Sequence, residues 1–260
     1  MGLGFRRNRY DNCFYFDLDK NLPIYLLLYV DDMLLISRSK SRIQDLKKKL
    51  SSEFDMKDLG NAKKILGMVI SRDRRNNCLK LEQSAYLHKL VNKFSMADSK
   101  SVSMPLANHF MLSKDQCPKT EAEMIKMNDI PYSNVIGFIM YAMISTRPDL
   151  SFAISLLSRF TSNPDSEHWT ALKWVLRYIN NSLNVGLKYY KNNTMLDLVG
   201  FVDSDFAGDK DTRKSTTTYY FTLGGNCICW KSQLQPIIAL SSTEAGYIAI
   251  ADVFKEAVWL

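Results

Sequence analysis

Asp31 and Asp32 stand side by side between two apolar runs, Ile24 to Val30 and Met33 to Ile36. Apolar segments of strand length on both sides of a charged apex read as a β-hairpin whose turn carries both acids. Two like charges at one shielded turn are unfavourable unless a cation lies against them, so a divalent metal is the natural partner. A solvated turn, or a helix start capped by Asp32, would produce the same letters. The spacing alone leaves all three open.

The rest of the chain alternates between helical and strand periodicities. Residues 1–22 read as an extended, turn-rich approach. From Arg42 to Phe54, Ile43, Leu46, Leu50 and Phe54 recur at helical spacing with lysines opposite, an amphipathic helix that Asp58-Leu59-Gly60 ends. Ile65 to Ile70 and Cys78 to Leu81 flank Arg74-Arg75-Asn76-Asn77 and read as a second hairpin. Ser84 is placed to cap a helix through Phe94. Residues 95–127 are polar and weakly periodic, with Pro105 and Pro118, and read as a flexible linker. Helix returns from Tyr132 to Phe160, with Pro148 opening a new helix after Arg147. It returns again from Asp165 to Ile179, where Trp169, Leu172, Val175, Leu176 and Ile179 make a core stripe. Leu196 to Val202, Thr217 to Leu223 and Cys227 to Lys231 alternate as three strands, and a helix from Ser242 to Leu260 follows. The expected class is α+β.

With 260 residues, 46% of them hydrophobic, the chain has material for one large or two modest domains. No stretch reaches the roughly 18 apolar residues of a bilayer span, and the first residues lack a signal-peptide layout, so no membrane partner is expected. Five scattered cysteines argue for a reducing compartment rather than a disulfide framework. Cys227 and Cys229, two apart on an expected strand, should face one side as buried thiols, since no histidine nearby completes a zinc site. Net charge is +7, yet residues 38–100 alone hold sixteen Lys and Arg against seven Asp and Glu. So concentrated a basic segment fits a polyanion, although a solvated helix face, as at Lys47-Lys48-Lys49, would look similar.

IYLLLYVDDMLLISRSKSRIQDLKKKLSSEFDMKDLG, residues 24–60, closely resembles the polymerase palm of reverse transcriptases from copia-type LTR retrotransposons. FSMADSKSVSMPL, PYSNVIGFIMYAMISTRPDLSFAISLLSRF, EHWTALKWVLRYINNS and GFVDSDFAGDKDTRKST resemble successive landmarks of the same Pol polyprotein, in its order. SSTEAGYIAIADVFKEAVWL resembles the first helix of the attached ribonuclease H domain. The resemblance covers essentially all of the chain. It implies a partial palm over 1–82, the thumb start and a linker over 83–130, a helical connection over 131–195, and the N-terminal part of a ribonuclease H-like domain over 196–260.

In that family the implied activities are RNA-directed DNA polymerisation and RNA-strand cleavage. The implied partners are an RNA/DNA template-primer duplex, dNTPs and the remainder of the polyprotein. The implied setting is a cytoplasmic virus-like particle and the nucleus. Both reactions use paired divalent ions about 4 Å apart, Mg2+ with Mn2+ as a substitute, held by hard carboxylate oxygens. The resemblance assigns Asp31 and Asp32 to the palm site, and Asp203 and Glu244 to the ribonuclease H site. It assigns Tyr29 to nucleic-acid contact, and with it Gly67, Met68, Arg72, Arg74 and Arg75 of the second hairpin, which corresponds to the one that holds the primer terminus. Ser241-Ser242-Thr243-Glu244 is also a capping-box pattern, in which Glu244 would reach back to the Ser241 amide. The family's palm needs a further aspartate on an earlier strand, which Asp11, Asp17 and Asp19 do not supply by context. Further ribonuclease H acids would come after Leu260, and Asp252, about 12 Å along the helix from Glu244, is too far away to replace them. Thr218 and Gly246 depart from the usual small and acidic residues. Both sites are therefore expected to be incomplete and the chain inactive alone, with a non-catalytic nucleic-acid-binding remnant as the alternative.

Overall fold

A computed structural model describes residues 4–18, 22–191 and 196–260. Asp19, Lys20 and Asn21 of the approach lie outside the described residues. Among the described residues the fold is α+β, with three antiparallel sheets and seven α-helices. The chain divides into two compact units, residues 1–70 and 71–260.

In the first unit β1 (Arg6–Arg7), β2 (Phe14–Asp17), β3 (Ile24–Tyr29) and β4 (Asp32–Ser37) form an antiparallel sheet in that order. The hairpin around the two acids is present, with Ile24 opposite Ser37 and Tyr29 opposite Asp32. The approach that reads as merely extended is itself paired: β2 lies along β3, with Phe14 opposite Leu27. Four residues of strand between polar turns carry too little periodicity to announce themselves.

Helix α1 (Lys40–Glu53) starts two residues before the expected Arg42, because Ser39 sets the boundary by accepting the Arg42 amide at 3.3 Å. Its Leu46 and Leu50, one turn apart, pack with Ile24 in a small core that Met33, Leu35, Ile43 and Phe5 extend. Paired residues share a sheet face, so Ile24, Leu26, Leu28, Met33 and Leu35 turn toward α1. Tyr25, Leu27, Tyr29, Asp32, Leu34 and Ile36 occupy the opposite face.

Residues 65–70 are not one strand. They fold back between β5 (Lys64–Ile65) and β6 (Met68–Asp73) through Leu66 and Gly67, with φ of 48° and 73°. Positive φ at both central positions is the turn that matches strand twist in a two-residue hairpin, and glycine takes it without steric cost. β7 (Cys78–Glu82) and β8 (Gly186–Tyr190) complete a sheet of order β5-β6-β7-β8, and the boundary between units falls within β6. No sequence signal marked β8. Five residues beyond a helix end, it gains its partner, β7, from about a hundred positions upstream.

The main core belongs to the second unit. α2 (Ser84–Lys93), α3 (Glu121–Asn128), α4 (Tyr132–Ser145), α5 (Ser151–Ser158) and α6 (Ser166–Asn181) follow in sequence. All but α3 contribute fully buried residues to one cluster, among them Leu87, Ile139, Ile154, Leu172, Val175, Leu176 and Ile179. Gln83 rather than Ser84 occupies the cap position of α2, and its buried carbonyl accepts the Thr146 hydroxyl at 2.8 Å. Arg147 between α4 and α5 is fully buried. It holds Asp149 with two guanidinium nitrogens (Nε to Oδ1 2.9 Å, NH2 to Oδ2 2.7 Å) and donates to the Ser182 carbonyl at 3.1 Å.

The segment that reads as a flexible linker is strapped to α6. Trp174 donates to the Met104 carbonyl at 3.0 Å, Arg177 to Lys100 at 2.6 Å, Asn180 to Ala97 at 2.8 Å and Asn181 to Val102 at 3.3 Å. Ala107 and Leu112 are buried beneath it, and α3 starts there on a Thr120/Glu123 capping box. Side chains distant in sequence satisfy its backbone, so no local periodicity could show the order.

β9 (Leu198–Ser204), β10 (Thr216–Leu223) and β11 (Asn226–Leu234) form the third sheet, order β11-β10-β9, and α7 (Ser242–Trp259) covers one face. Tyr219 and Phe221 meet Val253 and Ala257 there. A bulge between Phe221 and Thr222 places Cys229 opposite Phe221 and Cys227 opposite Thr222. The two cysteines therefore face opposite sides, against the expectation of one side, because an extra residue breaks the two-residue alternation. Cys229 meets Glu256 of α7 at 3.5 Å, and burial together with that carboxylate pushes its thiol up to about 11. Among the described residues no helix is long and apolar enough to cross a membrane.

Candidate functional site

Val30 and Asp31 form the whole turn between β3 and β4. Val30 holds φ at 50°, a left-handed conformation that is a real outlier for a β-branched residue, and it is 80% exposed. Strain of that kind persists only where the surrounding hairpin fixes it, and such positions cluster at functional sites. Asp31 and Asp32 are both exposed at this apex. Tyr29, half-exposed, lies directly across from Asp32 on the face away from α1.

Oxygen donors at a solvent-facing apex suit a hard divalent ion by type. They fall short by number. Among the described residues no three His, Cys, Asp or Glu side chains gather as a metal site. Among the described residues the two upstream acids are engaged elsewhere: Asp17 pairs with Arg42 of α1, and Asp11 accepts the Cys13 amide at 2.8 Å. Asp31 and Asp32 together would thus offer carboxylates from two residues and not a complete site, and no chemical step follows from them alone.

The second hairpin presents its basic tip as the sequence suggests. Arg72, Arg74 and Arg75 are exposed, and the loop between them and β7 is built on Asp73. That carboxylate accepts the amides of Arg75 at 3.0 Å and Asn76 at 3.1 Å, and the Asn76 side chain at 2.6 Å. The side-chain bond first, then the amides, hold Asp73 below the usual carboxylate range. Asp73 therefore stays ionised and turned into the loop, where three arginines outnumber it. Gly67 supplies the turn before β6, and Met68 begins that strand, half-buried.

Asp203 and Glu244 are both within the third sheet and its helix, but on different sides. Asp203 pairs with Thr218, on the face where Phe201 and Tyr220 stack at 4.7 Å. α7, which carries Glu244, packs on the face of Tyr219 and Phe221. Glu244 is occupied at the helix start. Ser241 accepts its amide at 3.1 Å, and its own carboxylate accepts the Leu240 amide at 2.7 Å, one residue before the one a capping box would use.

The neighbouring acids hold the loop after β9. Asp205 accepts the Thr216 amide. Asp209 is buried and bonds the Arg159 guanidinium at 2.9 Å and the Thr212 amide at 2.9 Å. Burial alone would raise the Asp209 carboxyl, but Thr212 and Arg159 outweigh it and hold the group below its ordinary value.

The first 108 residues match the family described as Reverse transcriptase (RNA-dependent DNA polymerase). Over 251 residues, 96% of this chain, the sequence is 47% identical to the Retrovirus-related Pol polyprotein from transposon TNT 1-94 of Nicotiana tabacum, and it spans 19% of that protein's length. It is 36% identical over 236 residues to an uncharacterized mitochondrial protein of Arabidopsis thaliana, covering 91% of this chain and 94% of that one. Against a putative transposon Ty5-1 protein of Saccharomyces cerevisiae it is 31% identical over 256 residues, 98% of this chain and 80% of the other. No solved structure matches the chain. The five ordered landmarks, the acid-tipped hairpin and these likenesses agree: the chain belongs to the copia-type retrotransposon Pol polyprotein family and covers a fragment that includes part of its reverse transcriptase.

Proposed function

We propose that the chain is the template-primer-holding part of an RNA-directed DNA polymerase, with Asp31 and Asp32 as two of its divalent-metal ligands. The observation that carries this is the strained, solvent-facing Val30-Asp31 turn, which with Asp32 offers two carboxylates at the end of a hairpin in a chain of this family. The metal, Mg2+ or Mn2+, would supply charge stabilisation for phosphoryl transfer once further ligands complete its shell. Tyr29 lies beside the acids to meet a nucleotide or primer end. Gly67 and Met68 form the base of the arginine hairpin, and Arg72, Arg74 and Arg75 lie along phosphates. In this reading residues 1–82 are palm, 83–130 thumb start and linker, and 131–195 the connection.

Residues 196–260 are proposed as the first half of a ribonuclease H-like unit. Support comes from three antiparallel strands in consecutive order followed by a helix laid on the sheet. The placement of Asp203 and Glu244 on different sides of that sheet lends nothing to a shared ion, and each stands as a separate candidate ligand.

Nucleic-acid binding and polymerisation separate cleanly in experiment. A labelled template-primer should bind the chain with an affinity that falls steeply with salt, and binding that persists after Asp31→Asn and Asp203→Asn supports the non-catalytic remnant instead. With Mg2+ and dNTPs the chain alone should extend no primer, because two carboxylates do not hold an ion pair. Robust incorporation would overturn the inactivity, and salt-insensitive or absent binding would overturn the polymerase reading itself. Binding without any metal dependence, in the presence of every other polyprotein segment, would favour the non-catalytic remnant.

A further inference from the structure

We infer that the groove between the β6–β7 loop and the end of β8 binds a single strand of nucleic acid, with Tyr190 stacking on a base and Arg74 and Lys191 holding the adjacent phosphates. This deepens the polymerase reading and rests on it for the class of ligand. It adds residues that lie far along the chain from the arginine hairpin and that no sequence motif marked.

The groove is shallow and open to solvent, with a volume of about 620 Å³, a form that an extended strand can lie along. Arg72, Arg74 and Lys191 line it together with Leu79, Tyr189 and Tyr190. Its one acid, Asp73, is turned onto the loop amides and stays ionised, and against it Arg72, Arg74 and Lys191 leave the lining net positive. Cations interleaved with aromatic rings are the composition that tracks a strand backbone while stacking its bases.

Tyr190 is 52% exposed, yet its backbone is fixed from two directions. On one side it pairs with Cys78 of β7, and the following amide, of Lys191, donates to the Asn77 carbonyl at 3.0 Å. On the other, Asn226 accepts the Tyr190 amide at 2.7 Å and donates to its carbonyl at 3.0 Å. A ring displayed on an immobilised strand loses little freedom on binding, which is how aromatic anchors gain affinity.

The same face carries a second sign. Lys188 stands directly opposite Lys80 in the β7–β8 ladder, and like charges so placed repel. Glu82 and the Asn184 carbonyl, at 2.9 Å, relieve Lys80. A phosphate crossing this face would relieve both lysines. The exposed ring selects a single strand over a duplex, because paired and stacked bases present no free π-face to it.

Fluorescence anisotropy of the full chain with a 12-nucleotide oligo-thymidine and with a blunt duplex tests this. Tyr190→Ala should weaken oligo-thymidine binding at least about five-fold, while Tyr190→Phe retains it and blunt-duplex affinity moves less than about two-fold. Lys191→Gln and Arg74→Gln should each lower the salt slope by about one. Lys126→Gln, on the exposed face of α3, is the control and should change nothing. Oligo-thymidine binding that Tyr190→Ala and Lys191→Gln leave intact would overturn the groove while leaving the polymerase reading standing. Failure of the unaltered chain to bind either nucleic acid would overturn both.

Discussion

Val30 is the residue at which backbone and side chain are most at odds. A β-branched side chain at φ 50° costs on the order of 1–3 kcal/mol, and Val30 is too exposed to regain it by packing. Asparagine tolerates that conformation far better. Val30→Asn should therefore raise unfolding free energy by about 0.5–1 kcal/mol in urea titration. A loss of stability would mean that the turn is not strained as described. The sequence placed the acids at a turn correctly, but only the structure shows that the strain sits on the residue before them.

Asp209 makes a different kind of statement. Its carboxyl titrates near 3.9 in an unfolded chain and lower in the folded one, despite its burial. The stability it supplies is thus complete above the unfolded value and declines as pH falls through the folded one. Urea midpoints measured between pH 6 and pH 2.5 should fall less steeply for Asp209→Asn than for the unaltered chain. Identical acid profiles would contradict the pairing with Arg159 and Thr212.

Among the elements, long amphipathic helices were the most legible, because α1 and α6 repeat an apolar stripe over three or four turns. Their ends were set by Ser39 and Asp165, caps that a stripe alone does not reveal. What stayed hidden were elements defined by distant partners: β8, paired with β7, and the 96–104 segment, tied down by Trp174, Arg177, Asn180 and Asn181. The Cys227/Cys229 expectation failed for a local reason, one inserted residue in β11. The arginine tip was legible in composition, whereas Tyr190 and Lys191 were not, since nothing in sequence brings them beside it. Arg147 joins α4 to the end of α6 through Asp149 and Ser182, fully desolvated. Arg147→Ala empties a fully buried position and takes the donor from the Ser182 carbonyl, while Asp149, partly exposed, keeps the Tyr178 hydroxyl, so it should cost about 2–5 kcal/mol. Arg147→Lys should recover little, because an ammonium cannot reproduce the forked contact. Full stability of Arg147→Lys in denaturant titration would contradict this.

Across the molecule the two units differ in the cores they own. Residues 1–70 bury Ile24, Leu46 and Leu50 in their cluster, whereas residues 71–260 bury nineteen side chains in the helical one. Regions with few buried apolar contacts open at lower free energy. Amides of β3 and α1 should accordingly exchange faster than those of α4 and α6 in native-state hydrogen exchange, with equal protection as the contrary outcome. A polymerase site seated on so small a core would depend on bound nucleic acid and further protein segments to hold its acids in place.

The most direct test is anomalous scattering from manganese in crystals of this chain bound to a template-primer duplex. A manganese peak beside Asp31 and Asp32 that vanishes in Asp31→Asn is the expected result. Density clear of manganese at that apex, with the duplex in place and the ion in excess, would contradict the assignment of these two carboxylates as metal ligands.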